Sequence, residues 1–220
     1  MSESEELRPG TITRLKRQRK RPERVSVYLD EAFAFSVHQD IILEYSLTKG
    51  EHLSVERQLS ILGADERLRA RGRAMDLLSH KARTGFELTQ RLSRDGFSDD
   101  AVQAAVQRLT ELDFIDDRLF ALEYASARAR NKGYGPERIR YELIRKGINR
   151  NLADSTVTGL FASEQSENEL ATDFARSRLS RLNNESDFLR KKKKLYDALR
   201  RRGFSGDVIR RVIADVLREE

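Results

Sequence analysis

Histidine and cysteine, which often serve as metal ligands or nucleophiles, are scarce or absent in this sequence, and the histidines are not spaced to act together. The three histidines, His38, His52 and His80, lack the i, i+3 or i+4 spacing by which metal ligands share one helix face. There is no cysteine, which excludes disulfides, thiolate nucleophiles and thiolate metal sites and is typical of a reducing compartment. The sequence therefore predicts no metal ion and no cofactor.

Two short motifs have the composition of catalytic or nucleotide sites but lack their context. Asp116 and Asp117 are adjacent carboxylates, yet acidic residues are also favoured at helix starts, where the helix dipole is positive. Gly133-Tyr134-Gly135 lacks the third glycine and the preceding strand of a dinucleotide site, and no GxxxxGK[ST] loop is present. We interpret the pair as a helix start, the glycine motif as a break between helices, and the protein as a non-enzyme.

Positive charge is concentrated in two runs. Of the 220 residues 35% are charged, against roughly 25% in an average domain, and the net charge is +6. Residues 14–24 hold seven Lys or Arg and one acid, and residues 190–202 hold eight and one, whereas acidic residues outnumber basic ones elsewhere. Because such runs attract polyanions, the pattern favours binding to nucleic acid or to an acidic partner.

The hydropathy pattern indicates neither export nor membrane insertion. The N-terminal residues MSESEELRPG are acidic and lack the apolar stretch of a signal peptide. No stretch approaches the roughly 18 apolar residues that a membrane span needs. We expect a soluble, cytoplasmic protein with no membrane partner.

Residues 1–64 are expected to form a basic arm and a β-hairpin extension. Apolar residues alternate with polar or small ones over 25–29 and 33–37, on either side of Asp30-Glu31, which is typical of two strands joined by a hairpin. The turn lacks the glycine that tight hairpins favour, so its type stays open. The arm around Ile12–Leu15 is a candidate third strand, and a short helix near Ser54–Leu62 leads into the helical part.

The rest of the sequence predicts three copies of one three-helix unit, over residues 65–117, 118–162 and 163–220. Windows 88–106, 139–157 and 195–213 align without a gap. Each has a glycine near its centre, followed by an apolar residue and a helix-capping Ser or Asn. Glycine accepts the left-handed conformation that ends a helix, and the capping residue starts the next one. The glycines are Gly96, Gly147 and Gly203.

Each unit is similar to a helix-turn-helix, which raises the alternative of a sequence-specific transcriptional regulator. Such motifs present the start of their second helix to base edges. In units one and three this start carries Asp99, Asp100 and Asp207, which phosphates would repel, whereas Asn149-Arg150-Asn151 in unit two raises no such objection. The alternative is disfavoured but stays open.

Residues 116–148, DDRLFALEYASARARNKGYGPERIRYELIRKGI, resemble the most recognisable stretch of the RecX family, regulatory proteins of the RecA recombinase. The shared pattern is Asp-Asp-x-x-Phe-Ala, then Gly-x-Gly-Pro-x-Arg-Ile-x-x-Glu-Leu-x-x-Lys-Gly-Ile. Residues 84–117 resemble the family's first repeat, and RVSVYLDEAFAFSV resembles the β-rich extension of its longer members. The family hairpin commonly has Gly where Glu31 stands here.

The resemblance implies a mainly α protein of three tandem three-helix, helix-turn-helix-like repeats in an elongated, curved array. It further implies docking into the groove of the RecA filament on single-stranded DNA, with lower ATP hydrolysis and strand exchange or shorter filaments, in DNA repair, recombination and the SOS response. We expect a monomer, with single- or double-stranded DNA as a further candidate partner. A DNA-binding helical-repeat protein without a recombinase partner is the alternative.

Candidate contacts to the filament or to DNA are basic residues of the second repeat and of the lysine-rich helix in the third. On that helix Phe188, Leu195 and Leu199 share one face and predict a core stripe, whereas five cations share the outward face with only Asp197 among them. The candidates are Arg128, Arg130, Lys132, Arg140, Arg145, Lys146, Arg190, Lys193, Lys194, Arg200 and Arg201.

Overall fold

The structure is a computed structural model that describes residues 7–162, 164–182 and 187–218. The chain divides into two compact units. The first holds residues up to Lys81 together with Thr89–Leu112, and the second holds Ala82–Leu88 together with the residues from Asp113 onward.

The first unit contains an antiparallel sheet with the strand order β3-β2-β1-β4. The predicted hairpin and the candidate third strand are both confirmed, whereas the two-residue β4 is too short to leave an alternating pattern in the sequence. The strands are β1 (Gly10–Arg17), β2 (Arg24–Leu29), β3 (Ala32–His38) and β4 (His52–Leu53).

The hairpin turn between β2 and β3 is made without glycine. Asp30 and Glu31 both have positive φ, 45° and 68°, as the two central residues of a type I′ turn require. Asp tolerates this conformation better than most residues, because its short side chain can hydrogen-bond locally. One carboxylate oxygen of Asp30 accepts a hydrogen bond from the amide of Thr11 on β1 (3.1 Å), which holds the turn in place.

A buried carboxylate ties the sheet to the helix that packs on it, α2 (Val55–His80), which follows α1 (Gln39–Glu44). Asp65 on α2 is 3% exposed. It accepts a hydrogen bond from the amide of His38 (2.7 Å) and pairs with Arg24 and Arg69, each at 3.2 Å. These partners satisfy a charge that would otherwise be costly to bury.

The expectation of a separate short helix near residues 54–62 was wrong. Ser54 caps the start, accepting a hydrogen bond from the amide of Arg57 (3.2 Å), but α2 then continues without a break to His80. Gly63 lies inside the helix, where a glycine costs only about 1 kcal/mol relative to alanine. Burial of Ile61, Ala64 and the residues beyond them outweighs that cost.

The three predicted three-helix units are present as α2–α4, α5–α7 and α8–α10. The predicted helix start at Asp116 is confirmed, because its side chain accepts hydrogen bonds from the amides of Arg118 and Leu119. Pro136 is the first residue of the middle helix of the second repeat. A 3-10 helix, Ser180–Leu182, follows α8. The helices are α3 (Gly85–Arg94), α4 (Asp99–Glu111), α5 (Asp117–Lys132), α6 (Pro136–Arg145), α7 (Arg150–Leu160), α8 (Glu164–Leu179), α9 (Phe188–Arg202) and α10 (Gly206–Val216).

The middle helix of each three-helix repeat ends at the predicted glycine. Gly96, Gly147 and Gly203 have φ of 91°, 82° and 83°, the left-handed region that side chains disfavour. The next residue turns back into the core, where Ile148 and Phe204 are buried. Their amides donate to the carbonyls of Leu143 and Leu199, closing the helix ends.

In the second of the two compact units, the turns at Gly147 and Gly203 each contact the start of another helix. The hydroxyl of Thr84 donates to the carbonyl of Lys146 (2.6 Å), and the amide of Gly135 donates to the carbonyl of Arg202 (2.8 Å). Thr84 and Gly135 occupy equivalent positions in the repeat, as do Lys146 and Arg202. The contact between a glycine turn and the start of another helix, called a joint below, therefore occurs twice.

A Cβ atom has no room at either joint. At Gly147 it would overlap the side chain of Phe86, and at Gly203 it would overlap the backbone of Arg138. Gly133, which ends α5 with φ 57°, differs because a Cβ there would meet only an Arg202 side-chain nitrogen, at 3.8 Å. The second unit thus offers two glycines that share a strained φ but differ in the space around them.

We expect Gly203→Ala to destabilise the second unit by about 2–4 kcal/mol, the sum of backbone strain and overlap with Arg138. Gly133→Ala is the matched control, because it introduces the backbone strain without the overlap. We expect it to lower the free energy of unfolding by about 1 kcal/mol. Urea unfolding followed by circular dichroism measures both. Equal losses in the two variants would contradict close packing at the joint.

Candidate functional site

The candidate cation Arg128 belongs to a polar network inside the second unit. Its Nε lies 3.1 Å from one carboxylate oxygen of Glu142, and its guanidinium lies 4.6 Å from the ring centroid of Tyr124. The Tyr124 hydroxyl donates to the same Glu142 oxygen (2.8 Å). Burial raises the pKa of Tyr124, and the hydrogen bond with Tyr124 is the main cause that raises the pKa of Arg128.

Glu142 also forms an ion pair within α6. Its second carboxylate oxygen lies 3.2 Å from Nε of Arg138, four residues earlier. One carboxylate thus neutralises two arginines, and the exposed fraction of its side chain is 18%. Arg128 therefore has a structural partner that sequence spacing did not reveal.

Lys146 and Arg140 are likewise held by carboxylates of their own unit. The Lys146 ammonium lies 2.6 Å from Glu87 and 5.1 and 5.4 Å from the ring centroids of Tyr124 and Phe120. Arg140 lies 2.6 Å from Asp154. Because Glu87 and Asp154 lie on other helices, periodicity within one helix could not identify these pairs.

The remaining candidates of the second repeat, Arg130, Lys132 and Arg145, are exposed. Arg145 lies over the ring of Tyr141, 5.8 Å from its centroid, and the tyrosine is itself 58% exposed. Exposed Arg and Tyr side chains are the types most enriched at binding hot spots. Sequence reasoning missed Tyr141, although its spacing of four residues from Arg145 on α6 places the two on one face.

On α9 the predicted outward face is confirmed, but its predicted core stripe is only partly right. Leu195 and Leu199 are fully buried, whereas Phe188 is 57% exposed. The helical angle fixes the face on which a residue lies, but not how far the neighbouring helices extend along the axis. Phe188 lies in the first turn, nearly two turns before Leu195, and is not covered. The five cations predicted on the outward face are all exposed, and Lys192, which was expected nearer the core, is exposed as well; the five are Arg190, Lys193, Lys194, Arg200 and Arg201.

Carboxylates lie close to Arg190 and to Arg200 on this face. Arg190 lies 3.3 Å from Asp187, the residue that caps α9, and Arg200 lies 3.7 Å from Glu137. Both arginines are more than half exposed, so these pairs add little stability. Their charge stays accessible to a partner.

The basic arm of the first unit contributes partly to folding. Arg14 on β1 lies over the ring of Tyr28 at 4.0 Å, and Arg17 donates to the carbonyl of Pro22 and to the side chain of Gln39. With Arg24 bound to Asp65, three of the seven cations in the run are engaged. The run is therefore not a purely solvated tail.

Neither a metal centre nor a membrane span is found in the part of the chain that the structure describes. Residues 7–162, 164–182 and 187–218 contain no group of three His, Asp or Glu placed to hold a metal ion. None of their helices combines the length and apolar character needed to cross a bilayer.

Comparison with known proteins identifies the family. Four family profiles match in chain order: the RecX N-terminal domain over residues 10–54, and the first, second and third RecX three-helix domains over 70–109, 116–157 and 165–213. "Regulatory protein RecX" of Bacillus licheniformis is 31% identical over 207 residues, which cover 90% of this chain and 74% of that protein. The chain belongs to the RecX family.

Other RecX proteins match over nearly their whole length. "Regulatory protein RecX" of Clostridium acetobutylicum is 29% identical over 217 residues, 97% of this chain and 99% of the relative. A crystal structure of regulatory protein RecX superposes with a TM-score of 0.76 at 27% identity, covering 92% of this chain and 98% of that one. The crystal structure of RecX from Lactobacillus salivarius superposes with a TM-score of 0.63 at 25% identity, covering 70% of this chain and 97% of that one. The resemblance and the helical-repeat fold class are confirmed.

Lys146 and Arg145 of this RecX chain are neighbours with different predicted roles. We expect Lys146→Met to lower the free energy of unfolding by about 1–2 kcal/mol, because it leaves the half-buried carboxylate of Glu87 without its cation. Arg145→Met removes an exposed charge and should change stability by no more than about 0.5 kcal/mol. Urea titration of both variants is the measurement, and equal stabilities would contradict a structural role for Lys146.

Proposed function

We propose that this RecX chain binds the RecA filament on single-stranded DNA and negatively regulates its ATP hydrolysis, strand exchange and growth. The observation that carries the proposal is the match to all four RecX domains, in family order, along the chain. The relatives are named regulatory proteins, which favours a role in modulating another molecule over catalysis.

The exposed cations of the second unit support a nucleoprotein as the partner. A filament on DNA presents phosphates, and neutralising phosphates with Lys or Arg releases counterions and drives binding. Arg130, Lys132 and Arg145 are exposed in the second repeat, and the five candidate cations of α9 are exposed as well. We assign contacts to these residues, and to Tyr141 beside Arg145. Arg128, Arg140 and Lys146 are assigned to folding because carboxylates of the same unit hold them.

The proposal is tested by comparing binding to RecA-coated and to bare single-stranded DNA. We expect the protein to prefer the coated strand and to lower the rate of DNA-dependent ATP hydrolysis by RecA. By itself it should hydrolyse no nucleotide. Equal binding to coated and bare DNA, with an unchanged RecA rate, would instead support a DNA-binding repeat protein without a recombinase partner.

Charge reversal on α9 tests the assigned surface. We expect Lys193→Glu/Lys194→Glu to weaken binding to the RecA filament by about tenfold at about 0.1 M salt and to flatten the salt dependence, since both side chains are exposed on the outward face. Melting should stay nearly unchanged because neither side chain is buried.

The matched control reverses two exposed lysines of the first unit, Lys49→Glu/Lys81→Glu, for the same change in net charge. It should bind like the unaltered protein. If both pairs weaken binding equally, the effect depends on net charge and the assignment to α9 is wrong.

A further inference from the structure

A cleft in the first unit lies between α1, α2 and α4. Its volume is about 330 Å³, within the range of ligand sites. It has an apolar floor and a charged rim, and its residues are distinct from those assigned above to contacts with RecA or DNA. The floor is formed by Ile41, Ala64, Leu68, Ala104 and Ala105.

Alanines in the floor create the space of this cleft. Ala64 on α2 and Ala105 on α4 are buried, 7% and 2% exposed, in two helices that pack against each other. Because an alanine side chain is short, these positions leave a depression that a larger apolar side chain can enter from outside. Insertion of such a side chain between small neighbours is the way in which helices pack together.

The charge of the rim is divided between the helices. The acidic residues both come from α1, whereas the basic residues come from α2 and α4. The rim therefore offers separate places for a base and for an acid of a bound molecule. The rim residues are Asp40, Glu44, Arg67, Arg71 and Arg108.

Two rim residues of opposite charge remain unpaired. In the part of the chain that the structure describes, the side chains of Glu44 and Arg71 form no ion pair, either with each other or with another residue. A molecule that carries both an acid and a base could pair with each of them. The other three rim residues each lie within 3.4 Å of a side chain outside the cleft, His38, Asp100 or Glu111.

The spacing along α2 indicates the shape of the occupant. Ala64 and Leu68 lie four residues apart on the floor, and Arg67 and Arg71 lie four residues apart on the rim. An apolar stripe flanked by charged residues at this spacing is the surface that helices of coiled coils present to one another. A groove with this surface fits an amphipathic helix laid into it by its apolar face.

The openness of the rim favours a protein segment over a small molecule. Four of the five charged rim residues are exposed, with Arg67 the exception. Small-molecule sites enclose most of the surface of their ligand, whereas a helix on an open groove keeps its polar face in water.

We propose that this cleft docks an amphipathic helix of a partner protein. A large apolar side chain of that helix inserts over the alanine floor, an acid pairs with Arg71 and a base pairs with Glu44. Because these residues lie outside the surface assigned to the RecA filament, the proposal does not depend on the proposed function.

The test is fluorescence anisotropy of a labelled peptide with the full chain. The probe AKLEAKLEKLEA, as a helix, places leucines on one face, lysines along one edge of that face and glutamates along the other. We expect a Kd of about 10–100 µM, the range of a short helix on a small groove. Replacing the leucines by alanine, or the central alanine by proline, should abolish binding.

Filling the cleft tests the site. Ala104→Leu places a larger side chain on the floor, and we expect it to weaken binding of the probe at least about tenfold, because the apolar anchor loses its space. Melting should not fall, since leucine forms helices well and position 104 is not fully buried. Gln103→Leu, on the same helix but outside the cleft, is the control and should bind like the unaltered protein.

Charge exchange tests the rim. We expect Arg71→Glu to weaken binding of the probe about fivefold and Glu44→Lys to do the same, because each change turns an attraction into a repulsion. Arg71→Glu should instead prefer a peptide whose glutamates are replaced by lysine, so that the order of the two peptides inverts. Arg94→Glu and Glu123→Lys, at exposed positions outside the cleft, make the same changes in net charge and should leave both affinities unchanged.

Several outcomes overturn the proposal. They are absence of binding up to about 1 mM probe, equal affinities of Ala104→Leu and its control, and an unchanged order of the two peptides in Arg71→Glu. Equal binding of the proline-containing peptide would show an extended occupant, and displacement by free leucine would show a small-molecule site. If the chain sedimented as a dimer that Ala104→Leu dissociates, the occupant would be a second copy and not a partner protein.

Discussion

The left-handed glycine at the end of each middle helix is the constraint on which the second unit depends. At Gly147 and Gly203 the absence of a Cβ lets the start of another helix approach the turn closely. The carbonyl just before each glycine then accepts a hydrogen bond, from the hydroxyl of Thr84 in one case and from the amide of Gly135 in the other. Backbone geometry is therefore conserved between the two joints while the donor chemistry differs.

These two joints also determine which cations remain available to bind a partner. Lys146 lies at one joint, where Glu87 on the docked helix start neutralises it. Arg202 lies at the other, where its guanidinium donates to the carbonyl of Lys132 and stacks on Tyr134 and Phe174. At the first joint the positive charge of Lys146 is neutralised, whereas Arg202 at the second joint lines a cleft together with five other Lys or Arg side chains.

Features set by local conformation could be predicted from the sequence, and those set by distant partners could not. The glycine turns, the cap at Asp116 and the hairpin around Asp30-Glu31 follow from the preferences of a few adjacent residues. The pairing of Arg128 with Glu142 depends instead on how α5 packs against α6. The exposure of Phe188 depends on whether another part of the chain covers the first turn of α9, which the helical angle alone does not determine.

The lysine run has a second consequence, for self-association. Lys191–Lys194 occupy the repeat positions equivalent to Thr84–Glu87 and Gly135–Arg138, the segments that dock onto glycine turns. Both of those segments pack closely against a glycine turn, with Thr84 or Gly135 at the contact. In the third repeat four consecutive lysines stand at these positions, so two copies that approached each other through this same segment would bring like charges together. The run thus opposes contact between two copies through the start of α9.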